Sequence, residues 1–196
     1  MTKEQELDVV PFGRTGSYVI KQKSPGFYAS EGHLSGELRL GGCNLTSCWE
    51  DGERGVELVE GQELSRWLEQ YDYRRWENIS NYAREMKTLA EVNWEGHKAY
   101  KVRLIDSFGQ ENFYFFAVDT GFLIGAEQVI ADLGSTTNRK IVYEDYTQFG
   151  PFKLAAKITR IQPSYSVMTT IKSVSFDEIP DWVFEFPDEV KRLMAK

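Results

Sequence analysis

The chain has little of what most active sites are built from. Its 196 residues include only two histidines, His33 and His97, and two cysteines, Cys43 and Cys48. Four tetrahedral ligands cannot be drawn from so few donors in any recognisable spacing, so a zinc centre is not expected. Each histidine sits near a turn, with no nucleophile or acid at a spacing that would make it a general base. Gly-x-Ser-x-Gly, His-Glu-x-x-His and glycine-rich phosphate loops are all absent. The acidic group Asp177, Glu178 and Asp181 lacks the spacing of a calcium loop and reads as solvated. No catalytic residue, metal or cofactor is expected, and the chain reads as a binding protein rather than an enzyme.

Other absences narrow the partners. The formal net charge is −7, and the densest basic pair, Arg74-Arg75, is flanked by Asp72 and Glu77. A nucleic-acid binder would carry a basic stripe, so nucleic acid is not an expected partner. No apolar run approaches the ~18 residues of a membrane span. No basic start followed by an apolar stretch marks a signal peptide. The chain is therefore either cytoplasmic or a mature, exported chain whose signal has been removed. Cys43 and Cys48 enclose four residues. They can close a small loop as a disulfide in an oxidising compartment, or stand as reduced thiols. The sequons Asn44-Leu45-Thr46 and Asn78-Ile79-Ser80 matter only in a eukaryotic secretory setting.

What the chain does have is strands. Hydrophobic residues make up 41% and aromatics 14%, enough for one core, so we expect a single domain over 1–196. Residues 1–16 are polar and then turn-rich, and are expected to be poorly ordered or a partial N-terminal strand. Short strands follow at Ser17–Lys23, Glu37–Leu40, Ser47–Glu50 and Val56–Val59, with a tight turn at Asp51-Gly52. At Gln62–Arg75 the period changes. Leu64, Trp67, Leu68 and Tyr71 recur at helical spacing, with Glu63, Arg66, Glu69 and Gln70 opposite them. Residues 78–85 are ambiguous.

Beyond Gly96 the chain is one strand after another. Lys98–Asp106 alternates, with Tyr100, Val102 and Leu104 facing one way and Lys101 and Arg103 the other. Asn112–Asp119 is apolar on both faces. Phe122–Ile130, Lys140–Gln148, Lys153–Ile161 and Ser166–Phe176 follow, with a polar loop at 134–138. A closing strand Trp182–Phe186 lies between Pro180 and Pro187, with Trp182, Phe184 and Phe186 sharing a core face, and Lys191–Lys196 is a polar tail. About ten strands and one or two helices, with turns every 8–12 residues, predict an antiparallel sheet.

A strand that is apolar on both faces must be covered on both sides. One side can be a solid core and the other a cavity for an apolar ligand. The residue types do not distinguish these, and from the residues alone a filled core is the plainer reading.

The order of several short motifs along residues 24–190 resembles the outer-membrane lipoprotein-sorting, LolA-like family. Trp94-Glu95-Gly96-His97-Lys98-Ala99-Tyr100-Lys101-Val102 is similar to the strand opening that family's second half. Val118-Asp119-Thr120-Gly121-Phe122-Leu123-Ile124 resembles its hairpin, and Tyr143-Glu144-Asp145-Tyr146 with Gly150 and Lys153-Leu154 resembles the next one. Val174 to Phe184 resembles its closing segment, and Trp49-Glu50-Asp51-Gly52 through Leu64 a part of its first half. Ala155-Ala156 departs from the pattern, where relatives often carry proline, and the cysteine pair is not a family feature.

The resemblance implies a mainly β (α+β) fold: a strongly curved antiparallel sheet forming an incomplete barrel, with one or two helices over the open side. It also turns the reading toward a cavity. The implied function is non-enzymatic binding or carriage of a hydrophobic ligand, lipid or lipoprotein acyl chains, in the periplasm or cell envelope, with an envelope protein as a partner. The ligand-binding candidates are Leu64, Trp67, Leu68, Phe113, Phe115, Phe122, Ile124 and Tyr143. The alternative is a structural or interaction module of the same fold with a filled core.

Overall fold

In the computed structural model, described for residues 1–52, 55–132 and 135–195, thirteen strands form one antiparallel sheet. The first six are β1 (Thr2–Val10), β2 (Arg14–Lys23), β3 (Phe27–Leu34), β4 (Glu37–Cys43), β5 (Cys48–Gly52) and β6 (Gly55–Val59). Helix α1 (Gly61–Tyr71) and a 3₁₀ turn at Ile79–Asn81 follow. Then come β7 (Ala83–Trp94), β8 (His97–Asp106), β9 (Glu111–Ala117), β10 (Leu123–Asp132), β11 (Ser135–Phe149), β12 (Phe152–Ile161) and β13 (Ser166–Ser175). A 3₁₀ turn at Asp181–Phe184 and helix α2 (Asp188–Met194) complete the chain.

The topology explains where the cover lies. Strands β1 to β6 step outward to one edge of the sheet, and β7 to β13 step back from the other edge until β13 pairs with β1. The connection from β6 to β7 must therefore cross from edge to edge. It does so as α1 and residues 72–82, which pack over one face of both halves of the sheet. The sheet curves about this crossing and stays open, not closed into a barrel. We call the covered face inner and the other outer.

Cross-strand register assigns every side chain to a face. Ile20, Tyr28, Cys43, Cys48 and Val59 share the inner face of the N-terminal half, under Leu64, Trp67, Leu68 and Tyr71. Leu104, Tyr114, Ala126 and Ile141 share the inner face of the C-terminal half. On the outer face, Trp49 packs with Phe186 and Val190, and Trp94 packs with Ala99 and Phe115. The indole of Trp94 stacks on the Phe115 ring at 3.8 Å. It lies flat over Gly125, where any Cβ would meet Trp94 Nε1 at 2.2 Å.

Several expectations are corrected. Residues 2–10 form a full strand, paired with β2 and β13 on its two sides. Strands also stand at β3 and β7. The helix stops at Tyr71, not Arg75, because Asp72 leaves the helical region. Asp51 and Gly52 are strand residues, paired with Val56 and Gly55, so the tight turn expected there is not formed by them. Of the expected loop at 134–138, residues 135–138 belong to β11, while 134 lies outside the described residues. The closing segment is a 3₁₀ turn: Phe184 and Phe186 are buried, but Trp182 is 69% exposed. The polar tail is largely helix α2, which buries Val190. Cys43 and Cys48, directly opposed in the β4–β5 ladder, form a disulfide.

Candidate ligand-binding site

The cover is anchored by Asp72, which is almost fully buried. Its Oδ1 accepts from the backbone N–H of Arg74 at 3.0 Å. Its Oδ2 accepts from Asn78 Nδ2 at 2.8 Å and from the Tyr82 hydroxyl at 3.0 Å. Burial raises the carboxyl's pKa, but these hydrogen bonds outweigh it and hold the group below its ordinary value. Burial and the same bond to Asp72 push Tyr82 up to about 12. One carboxylate thus ties the end of α1 to the turn that enters β7.

Beyond Asp72 the cover reaches across the C-terminal half. Trp76 stands edge-on over Tyr114 at 4.9 Å and Phe116 at 5.6 Å. Arg75 pairs with Glu69 at 2.7 Å and donates to the Tyr114 hydroxyl at 2.9 Å. Glu69, expected on the solvent side of α1, is buried. Desolvation raises its pKa in spite of Arg75. The Tyr114 hydroxyl also accepts from Gln128 Nε2 at 3.2 Å, and Gln128 Oε1 accepts from Arg139 at 2.8 Å. A polar chain therefore runs from α1 through the aromatic core to β11.

Under α1 the packing is incomplete. A cavity of about 360 Å³ opens between the helix and the inner face, lined by Tyr18, Tyr28, Trp67, Tyr71, Arg39 and Glu50 among others. This falls in the usual range for small-molecule sites. The Tyr28 and Tyr71 rings stack at 3.7 Å, and Trp67 stands edge-on to Tyr71 at 5.5 Å. Burial raises the pKa of both tyrosines, Tyr71 strongly. Glu50 is raised by desolvation and by Glu63 and Glu57, with Arg39 opposing.

A larger groove of about 700 Å³ lies on the outer face. Its floor is made low by Ser17, Ala29 and Gly42, and Trp49 and Trp182–Pro187 form its wall. Nothing in the residue pattern points to it, because its wall comes from a 3₁₀ turn where the pattern predicts a strand.

The expected ligand-binding residues divide between the faces. Leu64, Trp67 and Leu68 project from α1 onto the inner face, with Trp67 on the cavity. Tyr143 lies on the inner face of the C-terminal half. Phe113, Phe115 and Ile124 are on the outer face around Trp94, and Phe122 stacks on Tyr146 at 4.4 Å beyond them. The structure thus brings four of the eight to the inner face. Tyr18, Tyr28 and Tyr71 were not singled out for the site, although Tyr18 alternates in an expected strand and Tyr71 lies on the helical stripe.

No family model and no curated protein sequence matches this chain. Solved structures do. A DUF1329 family protein from Desulfovibrio piger ATCC 29098 matches at TM-score 0.63 and 11% identity, over 94% of this chain and 88% of that one. A LolA superfamily protein from Nitrosomonas europaea matches at TM-score 0.63 and 10% identity, over 94% and 90%. A domain assigned to outer membrane lipoprotein sorting, from Vibrio parahaemolyticus, matches at 0.57 and 11%, over 92% and 87%. At such identities the likeness is one of fold: this chain has the fold seen in these structures, the LolA superfamily protein among them.

Proposed function

We propose that this chain binds and carries a hydrophobic ligand, lipid or lipoprotein acyl chains, in the cell envelope, without catalysing a reaction. The observation that carries this reading is the aromatic-walled cavity between α1 and the inner face. Trp67 borders this cavity, and the reading extends the ligand's path to Leu64, Leu68 and Tyr143 on the same face, while Phe113, Phe115, Phe122 and Ile124 lie away from it. Binding is burial of apolar area, at about 25 cal/mol per Å². The Cys43–Cys48 disulfide suits an oxidising, exported setting. An envelope protein that receives the ligand is the partner this role calls for.

The alternative is an interaction module with a filled interior. It is favoured by the close packing of α1 on Ile20, Tyr28 and Val59.

Native mass spectrometry and organic extraction of the purified protein decide between them, with titration by 1-N-phenylnaphthylamine, an uncharged dye that brightens in apolar sites. Carriage predicts co-purifying lipid and dye binding that weakens at least severalfold in Trp67→Ala and persists in Trp182→Ala. No lipid and no dye response sinks carriage and leaves the filled module. Loss in Trp182→Ala alone would place the ligand in the outer groove.

A further inference from the structure

The inner face carries cations that nothing in the fold requires. Arg160 on β12 stands opposite Ile141 on β11, and Arg139 is the next inner-facing residue of β11. The two are diagonal neighbours on one face, within reach of each other's long side chains. Lys3 of β1 pairs with Ile20 and so projects to the same face. Arg160 Nη1 donates to the Thr169 hydroxyl at 3.1 Å, and Arg139 donates to Gln128. Both acceptors are neutral. Arg139 Nε is buried without any acceptor. Among the described residues, no carboxylate pairs with Lys3, Arg139 or Arg160. Buried charges are ordinarily paired. Elsewhere on this inner face they are: Arg75 has Glu69.

Three half-buried cations without a carboxylate partner among the described residues share this face, in a protein whose net charge is −7. We infer that Lys3, Arg139 and Arg160 form an oxyanion locus that takes the carboxylate or phosphate headgroup of an acyl ligand whose chain lies under α1. The inference rests on the carrier reading above and adds the ligand's polar end. Arg160 acts on the other two. Burial, then Arg160, pushes the Lys3 ammonium down to about 8, and burial with Arg160 lowers Arg139. An anion among them reverses the repulsion and supplies the missing acceptors. Tyr71 lines the cavity under α1 and lies within the electrostatic reach of Arg160. Charge-assisted hydrogen bonds of this kind are worth about tenfold or more in affinity.

The test displaces 1-N-phenylnaphthylamine with four probes: dodecanoate, dodecyl phosphate, 1-dodecanol and inorganic phosphate. The two acyl anions are expected to bind at least tenfold more tightly than the alcohol. That advantage should collapse in Arg160→Gln and Lys3→Met, survive in part in Arg160→Lys, and be unchanged in Lys98→Met on the exposed surface. Equal affinity of dodecanoate and dodecanol for the unaltered protein overturns the locus while leaving carriage intact, and needs no variant to fold. Binding of inorganic phosphate as tight as dodecyl phosphate overturns the headgroup assignment in favour of a free anion. If neither dye nor any amphiphile binds, carriage fails and the locus with it.

Discussion

The two faces of this sheet handle the same problem in opposite ways. Both carry large aromatic residues. The outer face packs by direct contact at its two ends, where Trp94 lies on Gly125 and Phe115 and α2 closes over Trp49, and leaves an open groove beside Trp182–Pro187. The inner face is covered by a separate crossing segment, pinned through Asp72, with tyrosines, arginines and a lysine beneath it. The inner face keeps polar groups and a cavity beneath a separate cover, at a cost in stability, as the site proposed above would.

The contrast can be broken from either side. The largest effect is expected on the outer face. Trp94→Ala removes a stacked, buried indole and should cost about 3–5 kcal/mol in urea melts, with dye affinity unchanged in the folded fraction. A cost under about 1 kcal/mol would show that this face is not the packed one. Next comes the cover. Asp72→Ala leaves the Arg74 amide, Asn78 and Tyr82 without their acceptor and should cost about 2–4 kcal/mol. Hydrogen exchange should speed up over residues 72–82 while β8 to β10 stay protected. Uniform loss of protection would mean that the crossing is no separate cover.

The smallest effect has the opposite sign. The folded-state pKa of Lys3, about 8, lies below its ordinary 10.5. Between those values the unfolded chain holds a proton that the folded chain has released, so stability rises with pH across that window. Below pH 8 both states are charged and the folded state bears the full cost of burying the ammonium. Lys3→Met should therefore stabilise the protein at pH 7, by about 1–3 kcal/mol, and flatten the rise between pH 8 and 10. A destabilised Lys3→Met would show that the ammonium has a partner after all, which would dissolve the contrast between the faces.

Legibility followed the same division. Strand β9 was readable because both its faces are buried, Tyr114 inward and Phe115 outward. Strand β1 was not, because its inward positions include the polar residues Lys3 and Gln5, which hide its alternation. Strand β7 was missed because it is an edge strand, exposed along most of its length, and register shifts at 83–85 and 88–90 interrupt its period. The amphipathic stripe of α1 gave Leu64, Trp67 and Leu68 their correct face. Alternation alone put Phe113 and Phe115 opposite Tyr114 and Phe116, but which pair faces inward depends on the side the crossing segment takes.

What the sequence determined by itself was local and periodic: antiparallel strands, one amphipathic helix, and the absence of a recognisable catalytic set. Only the tertiary structure decided which face is inside, because that follows from a single connection running between the two edges of the sheet. It also decided that Lys3, Arg139 and Arg160 share that face, with no carboxylate partner among the described residues. Periodicity reports the neighbours along one strand, and the charge balance of a site depends on neighbours that the chain brings together only when β13 returns to β1.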